Sequence, residues 1–194
     1  MTVDATSKAA RVTLYNSAGV EMANKATYRA ATTTILVPVA TANVPFFIIA
    51  GSVTKTVRVQ RIQISGWTQT AVGYIHVNLG KYSTNATGGT STVLVATPLD
   101  SNFAAATATS LRAYTAAPTA GTKVGDIASR RALSQVQATP AAGGPLVDTL
   151  FDFQMGFENY APVLRGTAQE LGVYFPTAAA SANNIALAVE WTEE

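Results

Sequence analysis

The chain has 194 residues with no Cys, one His, 12% charged side chains and a formal net charge of +2. Ala and Thr together make up about a third of it. General acid-base catalysis, nucleophilic catalysis and transition-metal binding draw mainly on His, Cys and clustered carboxylates. The composition therefore argues against an enzyme, a metal centre and a cofactor site, and we expect a structural or binding protein.

The bulk composition also bounds the fold and its surroundings. A hydrophobic fraction of 48% excludes an intrinsically disordered chain. The charged fraction is low beside an average of about 25%, which suggests that partners cover much of the surface. The longest apolar run, residues 44–50, is too short to span a bilayer, and the N-terminus lacks the pattern of a secretory signal. We therefore expect no membrane contact.

Residues 1–25 differ from the rest of the chain. They are rich in Ser, Thr, Ala, Asn and Lys, and their only apolar patch is at residues 12–15. This composition predicts an extended N-terminal arm, of the kind that becomes ordered on a neighbouring molecule. Residues 26–194 are predicted to form a single β-sandwich domain.

Period-two alternation of apolar residues dominates that domain. In residues 56–67, Val57 and Val59 alternate in one phase and Ile62 and Ile64 in the other, which predicts a β-bulge around Gln60 and Arg61. The remaining predicted strands, in chain order, are residues 28–37, 45–50, 74–79, 92–97, 111–114, 130–137, 146–153, 161–165, 171–175 and 185–191.

Other signals lie between these strands. Gly88-Gly89 predicts a turn, and Asp100 or Ser101 could cap a short helix at residues 103–109. The last two strands could pair as antiparallel neighbours. Eight or more short strands with turn residues between them predict an all-β fold, an antiparallel β-sandwich that is most simply jelly-roll-like.

Charge is distributed unevenly along the chain. Residues 1–61 carry seven Lys or Arg and two acidic residues, whereas residues 148–194 carry seven acidic residues and one Arg. The two ends should attract each other. Either the first and last strands pair within one subunit, or the ends of different subunits meet head to tail.

Few side chains are candidates for chemistry. His76 is the sole imidazole and is expected on a polar strand face, where a surface or interface position is favoured over catalysis or metal binding. Asp148 and Asp152, with Glu158 nearby, could be read as paired carboxylates, but on a strand the two Asp residues lie about 13 Å apart, beyond a catalytic separation.

A basic stripe, Lys55, Arg58 and Arg61, could suggest nucleic acid. No aromatic residues interleave with it to stack bases, so we expect protein docking and no nucleic-acid partner.

Three aromatic residues, Trp67, Tyr82 and Tyr114, are predicted at strand ends or in loops. Flat rings at such positions could stack on sugars, and core packing is the alternative for each of them.

Residues 52–108, 164–175 and 186–194 resemble β-rich virion proteins of tailed bacteriophages, of the jelly-roll capsid decoration or cement type. The likeness lies in Ala- and Thr-rich strands, the lack of Cys and an acidic terminal strand. It implies a homotrimer that is assembled in the bacterial host cytoplasm and resides in the virion. There it would bind between subunits of the major capsid protein and stabilise the shell.

The candidate docking residues are those of the basic N-terminal region: Lys8, Arg11, Lys25 and Arg29. The alternative function is a phage tail or head-fibre component that attaches to host-surface glycans, for which Trp67, Tyr82 and Tyr114 are the candidate contacts.

Overall fold

A computed structural model describes residues 2–3, 10–11, 25–33, 36, 38–68, 73–134, 147–153, 161–179 and 183–194. Every regular element in these ranges is a β-strand, so they contain no helix that could cross a membrane. The strands are β1 (Thr2–Val3), β2 (Ala10–Arg11), β3 (Ala26–Ala31), β4 (Pro45–Ala50), β5 (Val57–Thr68), β6 (Gly73–Tyr82), β7 (Thr90–Val93), β8 (Thr97–Pro98), β9 (Leu111–Ala116), β10 (Lys123–Ser134), β11 (Val147–Asp152), β12 (Val163–Leu164), β13 (Glu170–Tyr174) and β14 (Asn183–Glu193).

Two antiparallel sheets pack together, which confirms the predicted all-β sandwich. The front sheet has the order β10-β6-β13-β4-β9-β7, and the back sheet has the order β11-β5-β14-β3-β8, with β12 also paired to β5. The strands β1 and β2 form a separate antiparallel pair within the predicted arm. The rest of that arm lies outside the described residues.

The strand pairing is nested. In the back sheet β3 pairs with β14 and β5 with β11, and in the front sheet β4 pairs with β13 and β6 with β10. Early strands therefore pair with late ones, and consecutive strands of this set lie in opposite sheets, apart from β6 and β10, which form the innermost pair. This is the winding of a jelly roll, as the strand pattern predicts.

The connection between β6 and β10 is an insertion that widens both sheets. In the front sheet β9 pairs with β4 and β7 with β9, while in the back sheet β8 pairs with β3. Gly88 and Gly89, which precede β7, have φ values of 69° and 72°, so the predicted turn uses the left-handed backbone region that favours glycine. The insertion covers one lateral side of the sandwich.

One hydrophobic core lies between the sheets, and the predicted bulge in β5 keeps that strand facing it. Trp191 pairs with Val59 and Glu190 with Arg61, so Gln60 is the extra residue. The apolar residues on both sides of the bulge are at most 2% exposed: Val57, Val59, Ile62 and Ile64. This confirms that the bulge keeps both halves of β5 facing the core.

Strand β10 begins seven residues before the predicted start at residue 130. Its pairing with β6 shifts between Lys123 and Gly125 and again between Asp126 and Ala128. The two extra residues, Val124 and Ile127, interrupt the alternation from which strands are predicted.

Two local predictions are wrong. Strands β13 and β14 do not pair with each other but lie in opposite sheets, because the chain winds as a jelly roll rather than turning back as a hairpin. Residues 103–109 form no helix. The Tyr28 hydroxyl donates to the Ala104 carbonyl, and the backbone N–H groups of Thr107 and Ala108 donate to the Glu193 carboxylate, so these backbone groups are held by side chains from the back sheet.

Candidate functional site

The oppositely charged ends of the chain meet within one molecule. Lys25 Nζ lies 2.6 Å and Arg58 Nε 2.9 Å from Glu194 Oε1, and Arg61 Nη2 lies 3.2 Å from Asp152 Oδ2. The intrachain alternative therefore accounts for these charges.

The candidate docking residues fall in different places. The Lys25 side chain is only 8% exposed and belongs to the ion pair with Glu194, so it is buried in the fold rather than offered to a partner. Arg29 is exposed on β3, opposite Thr97 of β8. Lys8 and the side chain of Arg11 lie outside the described residues.

The candidate sugar-binding aromatics require a correction. Tyr82 is 1% and Tyr114 2% exposed, so neither ring can stack on a glycan. The Tyr82 ring lies across Gly80 and Gly172, paired in register on β6 and β13, where a Cβ would stand 3.2 Å and 3.0 Å from its Cε2. Absence of side chains at these two glycines makes the space for the ring. The side chain of Trp67, in β5, lies outside the described residues.

The candidate carboxylates do not assemble into a reactive pair. Asp148 and Asp152 lie on β11 as the sequence predicts, and the Asp152 carboxylate pairs with Arg61. Glu158 and the side chain of Asp148 are not among the described parts of the chain. Within those parts no three His, Asp or Glu side chains come close enough to hold a metal ion.

His76 lies on the outer face of β6, as its alternation with Ile75 and Val77 predicts. Its Nε2 is 2.9 Å from Ser129 Oγ on β10, a spacing compatible with a nucleophile and its base. No carboxylate in the described ranges bonds the other ring nitrogen, and both partners sit on the open face of a sheet. Within those ranges the pair has no orienting group of the kind that catalysis of this type uses.

Two of the acidic residues that the structure describes, Glu170 and Glu193, are buried. Glu193 is 2% exposed and accepts hydrogen bonds from the N–H groups of Thr107 and Ala108, the Thr107 hydroxyl and Trp191 Nε1. Burial alone would raise the pKa of Glu193, but these hydrogen bonds hold it below its ordinary value. Glu193 therefore remains an anion inside the protein.

Glu170 is buried in a different environment on the outer face of β13. It is 0% exposed, its Oε2 accepts a 3.0 Å hydrogen bond from the Ala86 N–H, and its Oε1 has no hydrogen-bond partner. Burial raises the pKa of Glu170 to about 7, and the single bond from Ala86 offsets this only in part.

The exposed charged side chains in the described part of the chain are mainly basic. Among the described residues, six exposed side chains are basic and two are acidic. The basic ones are Arg29, Arg112, Lys123, Arg130, Arg131 and Arg165, and the acidic ones are Asp100 and Asp126. Asp126 is already bound by the Lys123 ammonium at 2.7 Å and the Tyr174 hydroxyl at 2.5 Å. Arginine is therefore the most frequent charged residue among the exposed side chains that the structure describes.

An apolar ridge runs along the insertion between β7 and β8. Val93, Val95 and Leu99 are 61%, 77% and 57% exposed. Beside them is a groove of about 140 Å³, lined by Ala31, Thr32, Thr33, Leu36, Thr92, Val93, Leu94, Val95 and Ala113. Clustered exposed apolar side chains next to a concavity are typical of interaction surfaces. The sequence predicts a strand over residues 92–97, which includes Val93 and Val95 but not Leu99, and gives no sign that this segment lies on the rim of both sheets.

Comparison with known proteins gives no match to a protein-family model, to a curated protein or to a solved structure.

Proposed function

We propose that this protein is a non-enzymatic structural component of a bacteriophage virion, where it acts as a capsid decoration protein. It binds between major capsid subunits and stabilises the shell. The protein is assembled in the bacterial host cytoplasm and resides in the virion. This proposal rests on the resemblance of its strands to such proteins and on the surfaces of the fold.

The observation that carries the proposal is the apolar ridge of Val93, Val95 and Leu99 beside its groove. In an isolated monomer these apolar side chains would stay in contact with water, which is unfavourable. Contact with another molecule would bury them and lower the free energy. We assign this ridge to contacts between copies of the chain in a homotrimer.

The stabilising mechanism follows from mass action. A contact that exists only in the mature lattice lowers the free energy of that lattice relative to every expanded or ruptured form. The basic side chains of the N-terminal region, Lys8, Arg11 and Arg29, are proposed to reach the capsid subunits. Lys25 is left out of this set because its ammonium pairs with Glu194.

The alternative, a tail or head-fibre component that attaches to host glycans, loses support from the fold. Two of its three proposed contacts, Tyr82 and Tyr114, are buried.

The copy number in purified virions, measured by quantitative mass spectrometry, tests the function. A decoration protein should be present in hundreds of copies, because one molecule or trimer occupies each equivalent position of the shell. A dozen copies or fewer would instead indicate the tail.

A chain that begins at residue 25 tests the arm. It keeps the Lys25–Glu194 ion pair and should fold and self-associate like the full chain, but bind isolated shells more weakly. Lys8→Ser with Arg11→Ser in the full chain is the matched variant. Shell occupancy equal to that of the wild type in both would show that the arm does not dock.

A further inference from the structure

Strand β10 forms one edge of the front sheet in the part of the chain that the structure describes. Among the described strands it is hydrogen-bonded to β6 alone, and β11 of the back sheet lies beside it. From Ala128 to Ser134 it runs in unbroken register with β6, opposite Leu79 to Gly73. Alternate residues of this seven-residue run therefore present their backbone N–H and C=O groups on the side away from β6, and such an edge can receive another extended chain.

The outer face beside this edge carries residue types that dominate protein interfaces. Tyr74 is 63% exposed, and the Arg131 guanidinium lies 4.1 Å from the centroid of its ring. Opposite Arg131 is His76, which is paired with Ser129. Stacking on Tyr74 holds the guanidinium in place and leaves its N–H groups available for a carboxylate.

Two described charged side chains of this stretch of β10 are basic. Arg130 and Arg131 are both exposed on successive positions of β10, and neither has a carboxylate partner within the described ranges. The nearest acid along the strand, Asp126, is engaged by Lys123 and Tyr174.

A second copy of the chain is a poor occupant for this edge. The exposed acids that the described surface of another copy could bring are Asp100 and the already paired Asp126, because Glu170 and Glu193 are buried and Glu194 holds Lys25 and Arg58. The described residues thus offer few exposed carboxylates to match Arg130 and Arg131, and we assign the matching carboxylates to a different molecule.

We propose that the β10 edge, together with Tyr74, His76 and Arg131, is the site at which an extended acidic segment of a partner protein adds a strand to the front sheet. This inference rests on the proposed function, in which the segment belongs to the capsid subunit. Main-chain hydrogen bonds along Ala128–Ser134 supply affinity, and carboxylates that reach Arg130 and Arg131 fix orientation and register. An open backbone edge fits a polypeptide better than a nucleic acid, which has no strand to pair with it.

A fluorescein-labelled ten-residue peptide of alternating Glu and Thr is the probe, and its binding to the full-length protein is measured by fluorescence anisotropy. We expect Arg131→Glu to weaken binding about tenfold or more, because it repels the carboxylate that the guanidinium binds. Tyr74→Ala should weaken binding by a smaller factor, since it removes the ring that positions Arg131. Both side chains are exposed, so near-UV circular dichroism should show an intact fold.

The matched control is Arg165→Glu, which changes the net charge by the same amount at an exposed position outside the site. It should alter affinity less than about twofold. The same peptide with alternate backbone amides methylated keeps its carboxylates but cannot pair as a strand, and it should bind at least about tenfold more weakly.

Several results would overturn the site: no binding of the peptide, equal losses for the Arg131 and Arg165 variants, equal affinity of the methylated peptide, or tighter binding of single-stranded thymidine oligonucleotide of the same charge. Virion copy number is independent of all these measurements. A high copy number with no peptide binding would reject the site and leave the decoration function standing, whereas peptide binding with few copies would reject the function alone.

Discussion

Two buried glutamates show how local donors decide the state of a carboxylate. Glu193 and Glu170 are 2% and 0% exposed, so both lose almost all contact with water. Glu193 accepts hydrogen bonds from four donor groups and its pKa is lowered, whereas Glu170 accepts one and its pKa rises to about 7. The hydrogen bonds at Glu193 outweigh the effect of burial on its pKa, whereas the single bond at Glu170 does not.

Glu170 should make the protein less stable as pH rises. Because its pKa in the folded state, about 7, exceeds the ordinary value of 4.5, the stabilisation is complete below pH 4.5 and is lost as pH rises through about 7. Glu170→Gln removes this loss. The free energy of unfolding of the variant, relative to the wild type, should increase between pH 4.5 and pH 8 by up to about 3 kcal/mol, measured by urea unfolding.

Glu193→Gln is the matched control for this experiment. Its pKa is depressed, so its stabilisation is present at neutral pH and is lost as pH falls through the folded-state pKa. The deficit of the Glu193 variant should therefore shrink toward low pH, opposite to the trend for Glu170. Parallel pH curves for wild type and Glu170→Gln would show that Glu170 does not titrate as the fold implies.

Side-chain direction was predictable from the sequence, but burial on the outer face was not. Alternation with Leu79 places Tyr82 on the outer face of β6, which suggests exposure. The chain that follows β6 folds back over this face, where the Ala86 N–H reaches Glu170 and Thr87 pairs with Thr119. The sequence around Tyr82 does not show that a segment from elsewhere in the chain covers this side chain.

At the scale of single elements, the bulge in β5 is the clearest success of sequence reasoning. The signal in the sequence is the change of phase between the pair Val57 and Val59 and the pair Ile62 and Ile64. A shift of register by one residue moves the side chains of a strand to the opposite face of the sheet, so an extra residue is needed to keep both pairs in the core. The bulges of β10 were missed because their extra residues, Val124 and Ile127, are themselves apolar and 67% and 40% exposed. Exposed apolar residues at these extra positions break the period-two pattern, so this part of the strand cannot be recognised from the sequence.

Deletion of Gln60 should therefore be far more damaging than its replacement. Without the extra residue, Val57 and Val59 turn away from the core and Arg58 turns toward it, at a cost of about 3 to 6 kcal/mol for the two valines. Gln60→Ala keeps the residue count and should cost about 1 kcal/mol, because only the weak hydrogen bond to Thr192 is lost. Thermal or urea unfolding of both variants measures the difference, and equal losses would argue against this role for the bulge.

At the scale of the whole molecule, strand number and alternation predict the sandwich, but the insertion that bears the apolar ridge was not foreseen. Residues 92–97 read as one strand, whereas the structure divides them between β7 in the front sheet and β8 in the back sheet. A short sequence pattern reports which residues are extended, but not which sheet they join. The β10 edge was missed for the same reason, since the sequence does not say which strand comes last in a sheet.

The ridge gives a prediction for self-association. Val95→Asp places a charge on a side chain that is 77% exposed, so the fold should be unaffected while association between copies weakens about tenfold or more. Val53→Asp, at a position 78% exposed in a different loop, is the matched control and should leave association unchanged. Sedimentation velocity across a concentration series measures both. Equal behaviour of the two variants would remove the ridge from the assembly contacts.

Nested pairing also governs how the chain acquires its structure over time. The neighbours of β5 in the back sheet are β11 and β14, so this strand has no permanent lateral contact until residues far along the sequence have left the ribosome. Contacts of such long sequence separation slow the folding rate. During synthesis the apolar side chains of β5 are thus open to aggregation or to capture by chaperones.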